Sequence, residues 1–222
     1  MSEKPQEVSN IEGASNPEIQ AFKNLLSKAD GTLYPLKKRT KDGKQLYITA
    51  RQIFSPEVGG TENVNPLFFK WQQLGENRAD AVLLIDVYVG TESGRELIGR
   101  RDWWMNGEYA SGAGNMHDAV LPSTDYENTI GNSTSAFKVA DDYQRQNIGS
   151  LMLATSAVVL PALGVREFSG GVLLEPAQKT FARFDIEEED YISSALHEPL
   201  PIERLSGHPG VEKLISEFVL GE

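Results

Sequence analysis

In the run Ala81-Val82-Leu83-Leu84-Ile85-Asp86-Val87-Tyr88-Val89 the only charged side chain is Asp86. A strand with one face in water alternates apolar and polar residues, whereas a strand apolar at successive positions is covered on both faces. This chain is therefore expected to build a sheet with both sides covered and this strand near its centre. Leu97 to Trp104, after the turn Glu92-Ser93-Gly94, is expected to pair antiparallel with it. Upstream, Leu33 to Arg39 and Lys44 to Arg51 flank Lys41-Asp42-Gly43-Lys44 and predict a hairpin.

A second feature fills the space beside that sheet. From Gln146 to Val165 there is no charged residue. The length is near that of a membrane span, but Asn147, Ser150, Thr155, Ser156 and Pro161 interrupt the stretch, and Gly149 sits near its start. An interior helix of an α/β domain, Arg145 to Leu163, accommodates this pattern. Further helices are expected at Pro17–Leu26, opened by Asn16-Pro17, and at Pro66–Leu74, Pro176–Phe184 and Pro209–Leu220. Ser133–Val139 and Val165–Leu174 read as strands, with one or two more between Asp185 and Leu200. Asn106 to Asn115, with three glycines, reads as a loop. A meander followed by strand–helix–strand–helix–strand predicts a mixed α/β sheet, partly antiparallel, in one domain over 17–222. The polar residues 1–16 read as a disordered tail.

Charge and cysteine content narrow the function classes. The chain carries 21 Lys plus Arg against 32 Asp plus Glu, a net −11. Such a surface opposes nucleic-acid and anionic-membrane binding and slightly favours a cationic partner. With no cysteine, thiolate chemistry and disulfides are excluded. The N-terminus has no apolar stretch of signal-peptide length, so a cytoplasmic location is expected. His117, His197 and His208 lack metal-ligand spacing, and no metal is expected. Dimerisation through the C-terminal helix or an edge strand stays open.

The segment richest in chemistry runs from Val139 to Leu153. A strand ends at Val139, a loop follows, and a long helix starts near Asn147. The first N–H groups of a helix lack intrahelical acceptors and carry partial positive charge, so they attract phosphate. Gly149 lets a ligand reach the backbone, and Asn147 tolerates the left-handed conformation. Arg145 and Ser150 offer side-chain donors. An ordinary strand-to-helix turn is the competing reading.

Gln144-Arg145-Gln146-Asn147-Ile148-Gly149 resembles the acyl-CoA binding motif of the GNAT superfamily of N-acetyltransferases. That motif is Gln or Arg, two residues, Gly, one residue, and Gly or Ala. Gln144 and Gly149 match, and Asn147 stands in for the first glycine. Val139 and Tyr143 sit where the family has its strand-end valine and its tyrosine. Ala177 to Ile186 is similar to a later family motif, with Phe181 where many members have tyrosine. The match covers residues 135–186.

The resemblance implies a GNAT-like fold, a mostly antiparallel sheet flanked by helices and splayed open between the strand ending at Val139 and the strand Val165–Leu174. Acetyl-CoA would be the acyl donor, its pyrophosphate on Arg145, Gln146, Asn147, Ile148, Gly149 and Ser150. Gln144 belongs to the same motif, and the Phe137 and Val139 backbone would hold the pantetheine arm. A primary amine, free or on a protein or peptide, would attack the thioester directly. Asp86 and Glu127 are the candidate bases, each with a structural reading beside it: a partnered or water-facing carboxylate for Asp86, an ordinary strand-start residue for Glu127. Phe181 cannot protonate the leaving thiolate, which keeps open a non-catalytic acyl-CoA-binding sensor or interaction module. Trp103-Trp104 could line an acceptor pocket, and Lys37-Lys38-Arg39, Lys41 and Lys44 could meet the CoA 3′-phosphate, although core packing with a surface patch for the first and a solvated hairpin for the second are the favoured readings.

Overall fold

The computed structural model describes residues 16–54, 81–91, 94–111, 137–169, 175–190 and 199–221. Helix α1 (Pro17–Leu26) leads into strands β1 (Tyr34–Arg39) and β2 (Gln45–Phe54), then β3 (Ala81–Thr91), β4 (Gly94–Asn106) and β5 (Tyr109–Ser111). Strand β6 (Phe137–Val139), a 3-10 turn (Asp141–Tyr143) and helix α2 (Ile148–Ala162) come next. Strand β7 (Glu167–Ser169), helix α3 (Glu175–Ala182), strand β8 (Leu200–Pro201), helix α4 (Glu203–Ser206) and helix α5 (Pro209–Val219) complete the order.

Strands β1 to β5 form an antiparallel meander, β7 joins β5 in parallel, and β8 pairs antiparallel with β7. The result is a mixed α/β fold, and β3 lies inside the sheet as its apolar run requires. Leu83, Ile85, Val87 and Val89 join the main core with the buried side chains of α2. The alternate positions Val82, Leu84 and Asp86 are buried too, on the opposite face. Helix α2 is buried nearly all round, which explains its lack of charge. Among the described residues no helix is long and apolar enough to cross a membrane.

Close approach fixes α2 over the sheet. A Cβ on Gly99 of β4 would lie 3.2 Å from Ile148 and 3.3 Å from Met152, so the missing side chain lets the helix settle on the strand. Trp103, four residues on and facing the same way, donates from Nε1 to Ser156 Oγ at 2.7 Å. Ser156 in turn donates to the Met152 carbonyl at 2.8 Å. The indole thus buries its ring without stranding its N–H. Helix α5 packs Val211, Ile215, Phe218 and Val219 into the core, so its apolar side is used within the chain. Each such side chain contributes about 1.5–3 kcal/mol by burial.

Three boundaries differ from those expected. Within Asn106–Asn115, Tyr109–Ser111 is a strand: Gly107, at φ +55°, turns the chain back so that these residues pair with β4. Helix α2 begins at Ile148, because Arg145 (φ +60°) and Asn147 (φ +63°) adopt left-handed conformations that a helix excludes. In the acidic run, residues 188–190 are helical instead of extended, and Glu187 N–H is capped by Asp190. The predicted helix Pro66–Leu74, Glu92-Ser93 of the turn, residues 133–136 and residues 170–174 lie outside the described residues.

Candidate functional site

The outer edge of β4 has two partners placed end to end. Gly99–Arg101 pairs with β6, and Trp104–Asn106 pairs with β5. Asp102 and Trp103 stand at the fork between them. Strand β7 continues the sheet from β5, so β6 and β7 run in the same direction without pairing to each other among the described residues. Helix α2 connects them. Among the described residues these two parallel strands are joined only by α2, whose first residues stand at the C-terminal end of β6.

At that end lies the loop before α2. Among the described residues no protein group accepts a hydrogen bond from the backbone N–H of Arg145, Gln146, Asn147, Ile148, Gly149 or Ser150; the first helical bond runs from Leu151 N–H to the Asn147 carbonyl. The left-handed residues 145 and 147 alternate with their neighbours in the manner of an anion-binding nest, which then runs into the helix N-terminus. Asn147 has no intrahelical capping bond. Instead its Oδ1 accepts from Arg183 Nη1 at 2.6 Å, and the same nitrogen reaches Ser150 Oγ at 3.1 Å. Asn147 Nδ2 donates to Glu217 Oε1 at 3.3 Å, and that carboxylate also meets Lys38.

The other motif residues brace this loop. Gln144 Nε2 donates to Asp141 Oδ1 at 2.7 Å and to the Val139 carbonyl at 3.2 Å. Gln146 Oε1 accepts from Lys41 N–H at 3.0 Å, which brings the β1–β2 turn against the loop. From that turn Lys44 reaches Tyr143 OH at 3.2 Å, and it also pairs with Asp42. A Cβ on Gly149 would meet Phe137 Cζ at 3.4 Å and Thr180 Oγ1 at 3.5 Å, so Gly149 sits where β6, α2 and α3 converge. Phe137 and Val139 are half-buried. Phe181 is fully buried, its ring edge-on to Phe137 at 6.3 Å between centroids.

Asp86 is not near this loop. It lies on the sheet face away from α2 and commits both oxygens to Arg100, with Nε–Oδ1 at 2.6 Å and Nη2–Oδ2 at 2.8 Å. Tyr88 OH also donates to it at 3.3 Å, and burial, reinforced by the Asp86 charge, pushes that phenol up to about 12. Glu127, His117 and His197 lie outside the described residues. His208 caps α5: its Nδ1 accepts from Gly210 N–H at 3.0 Å, so Nε2 carries the proton toward Asp185. Among the described residues no three His, Asp or Glu side chains converge as metal ligands.

Three charged residues near the fork and the loop were missed by sequence reasoning. Arg183 follows α3, and nothing in its local pattern places it over α2. Arg101 and Asp102 belong to Arg100-Arg101-Asp102, three consecutive charges in a strand beside the most apolar strand of the chain, and that contrast was a usable signal. Both are almost wholly buried. Asp102 Oδ1 has no hydrogen-bond partner, and burial raises its carboxyl to about 7 against the pull of Arg100. Arg101 faces α2 between Phe137 and Phe181, while Asp102 faces the opposite side. No family model matches this chain, and no curated protein matches it.

Proposed function

We propose that this chain is an acyl-CoA-dependent N-acyltransferase of GNAT type, acting on a primary amine. The observation that carries the reading is the row of unpartnered N–H groups from Arg145 to Ser150, at the end of a strand that does not pair with its parallel successor. A pyrophosphate suits such a row, with Arg183 and Arg145 as added cations. The pantetheine arm would lie along β6, in the cleft between β6 and β7. The thioester would then reach the fork in the sheet beside Asp102. An amine nitrogen attacks the thioester carbon and the carbon–sulfur bond breaks. One amine proton passes to water, and the CoA thiolate takes a proton from water. Asp86, held by Arg100 on the sheet face away from α2, and Asp102, which faces that same side, do not serve as the base.

One observation favours a second reading, an acyl-CoA-binding sensor without turnover. Phe181, at the position of the family's tyrosine, is buried against Phe137 and brings no hydroxyl to the cleft.

Thermal unfolding with acetyl-CoA, and with ATP as a phosphate-bearing control, tests the shared part of both readings. At about 100 times its dissociation constant the ligand stabilises by roughly 2.7 kcal/mol, a rise of about 5–10 °C for a chain of this size. A rise with acetyl-CoA alone is expected. No rise at millimolar acetyl-CoA would sink both readings, and binding without turnover across an amine panel would leave the sensor.

A further inference from the structure

Adjacent arginines on β4 are treated in opposite ways. Arg100 presents the Nε–Nη2 edge of its guanidinium to Asp86 and holds it bidentately. Arg101, pointing to the other face, presents the same two atoms to no acceptor among the described residues. Its guanidinium lies 4.1 Å from the Trp103 ring, 4.9 Å from Phe137 and 5.7 Å from Phe181. Only 1% of the residue is exposed.

Aromatic faces stabilise a cation, but they do not accept its in-plane N–H groups, and stranded buried donors are costly. Aromatic walls also hold the fork in one orientation, so a ligand meets it already positioned. A planar two-oxygen anion matches that edge, as Asp86 demonstrates next door on Arg100. Phe137 also borders Gly149 and packs edge-on against Phe181, so the same ring that walls the guanidinium touches the start of α2 beside the anion loop.

We infer that Arg101 is a substrate-recognition residue that binds a carboxylate, carried either by the amine acceptor or by the far end of the acyl chain. The inference rests on the acyltransferase reading for the identity of those two carriers, but not for the carboxylate site itself. Burial without a counter-ion pushes the Arg101 guanidinium down to about 9, with Asp102 opposing, and a bound carboxylate would relieve that penalty.

The test uses the full chain as wild type, Arg101→Met and Arg101→Lys. One arm compares succinyl-CoA with acetyl-CoA by calorimetry. A second compares 4-aminobutyrate with butylamine, first as acetyl acceptors and then as free ligands in thermal unfolding. In one arm the carboxylate-bearing ligand should be preferred by roughly 10- to 100-fold, the range of a charge-assisted bidentate contact. Arg101→Met should erase the preference, and Arg101→Lys, with charge but no fork, should restore part of it. Arg101→Met should melt no lower than wild type, because it removes a buried unpaired charge. Preference in the first arm places the carboxylate on the acyl chain, and preference in the second places it on the acceptor. If neither arm shows a preference, or Arg101→Met keeps it, the inference fails. A lower melting temperature in Arg101→Met with carboxylate affinity intact makes Arg101 structural and also overturns it. Absence of any CoA binding, with 4-aminobutyrate still bound through Arg101, would remove the acyltransferase reading and leave the carboxylate site standing.

Discussion

Replacing Asp102 with Asn should make the protein more stable, and by about 3 kcal/mol more at pH 8 than at pH 5. The folded-state carboxyl is raised from an ordinary 3.8 to about 7, with burial as the main cause. The folded protein therefore holds a proton that the unfolded chain releases between these values. Stability falls as pH rises through that window, because the folded state binds more protons there. A pKa difference of about three corresponds to about 4 kcal/mol at full ionisation. Integrated from pH 5 to pH 8 the loss is about 3 kcal/mol, since the unfolded carboxyl is already ionised at pH 5. Asn occupies the same volume and does not ionise, so Asp102→Asn should lack this slope. Urea titrations of both proteins at pH 5, 6, 7 and 8 measure it. The wild-type midpoint should drift down with pH relative to the variant, by an amount equal to about 3 kcal/mol across the series. Arg101 titrates above this window, with its own value near 9, and so contributes little to the slope. Parallel pH profiles for the two proteins would refute the assignment of a raised carboxyl to Asp102.

Removing the carboxylate of Asp86 takes from Arg100 its bidentate partner; Asp86→Ala should cost about 3–5 kcal/mol by urea titration, and Asp86→Leu combined with Arg100→Met should recover most of it. Gly149→Ala should fold with wild-type stability to within about 1 kcal/mol, because its Cβ meets Phe137 at an ordinary 3.4 Å, whereas Gly149→Leu should lose the acetyl-CoA thermal shift by filling the approach to the backbone N–H groups. Asn147 sits at φ +63°, so Asn147→Ala should fall below Asn147→Gly by about 1–2 kcal/mol in thermal unfolding.

Much of the local structure was legible because it depends on short-range chemistry. Asn16 with Pro17 opens α1, the Asn16 side chain accepting from Glu18 N–H at 2.9 Å. Gly43 at φ +81° turns the β1–β2 hairpin. The run Ala81–Val89, charged only at Asp86, read as an interior strand, and the charge-free stretch after Gln146, interrupted by polar residues, read as a helix enclosed by other elements. The loop from Gln144 to Gly149 was likewise visible, because free donors at a helix start follow from backbone geometry. Strand β5 was not visible: three residues after a glycine turn carry too little pattern, and only pairing with β4 and β7 makes them a strand.

Tertiary structure alone decided which charges matter at the site. Asp86 reads in sequence as an isolated carboxylate in an apolar strand, yet β4 supplies Arg100 directly opposite it and makes it an ion pair. Arg101 and Asp102 read as ordinary neighbours of Arg100, yet strand alternation sends them to opposite faces, and the fork between β5 and β6 leaves each with polar atoms unpartnered. Arg183 reaches the start of α2 across a separation of 36 residues. Sequence sets backbone preference and the pattern of burial, because those depend on neighbours along the chain. The partner of a buried charge is chosen by strands and helices brought together from far along it, and beside this fork that choice left a guanidinium unpartnered on the face toward α2 and a carboxyl unpartnered on the face away from it.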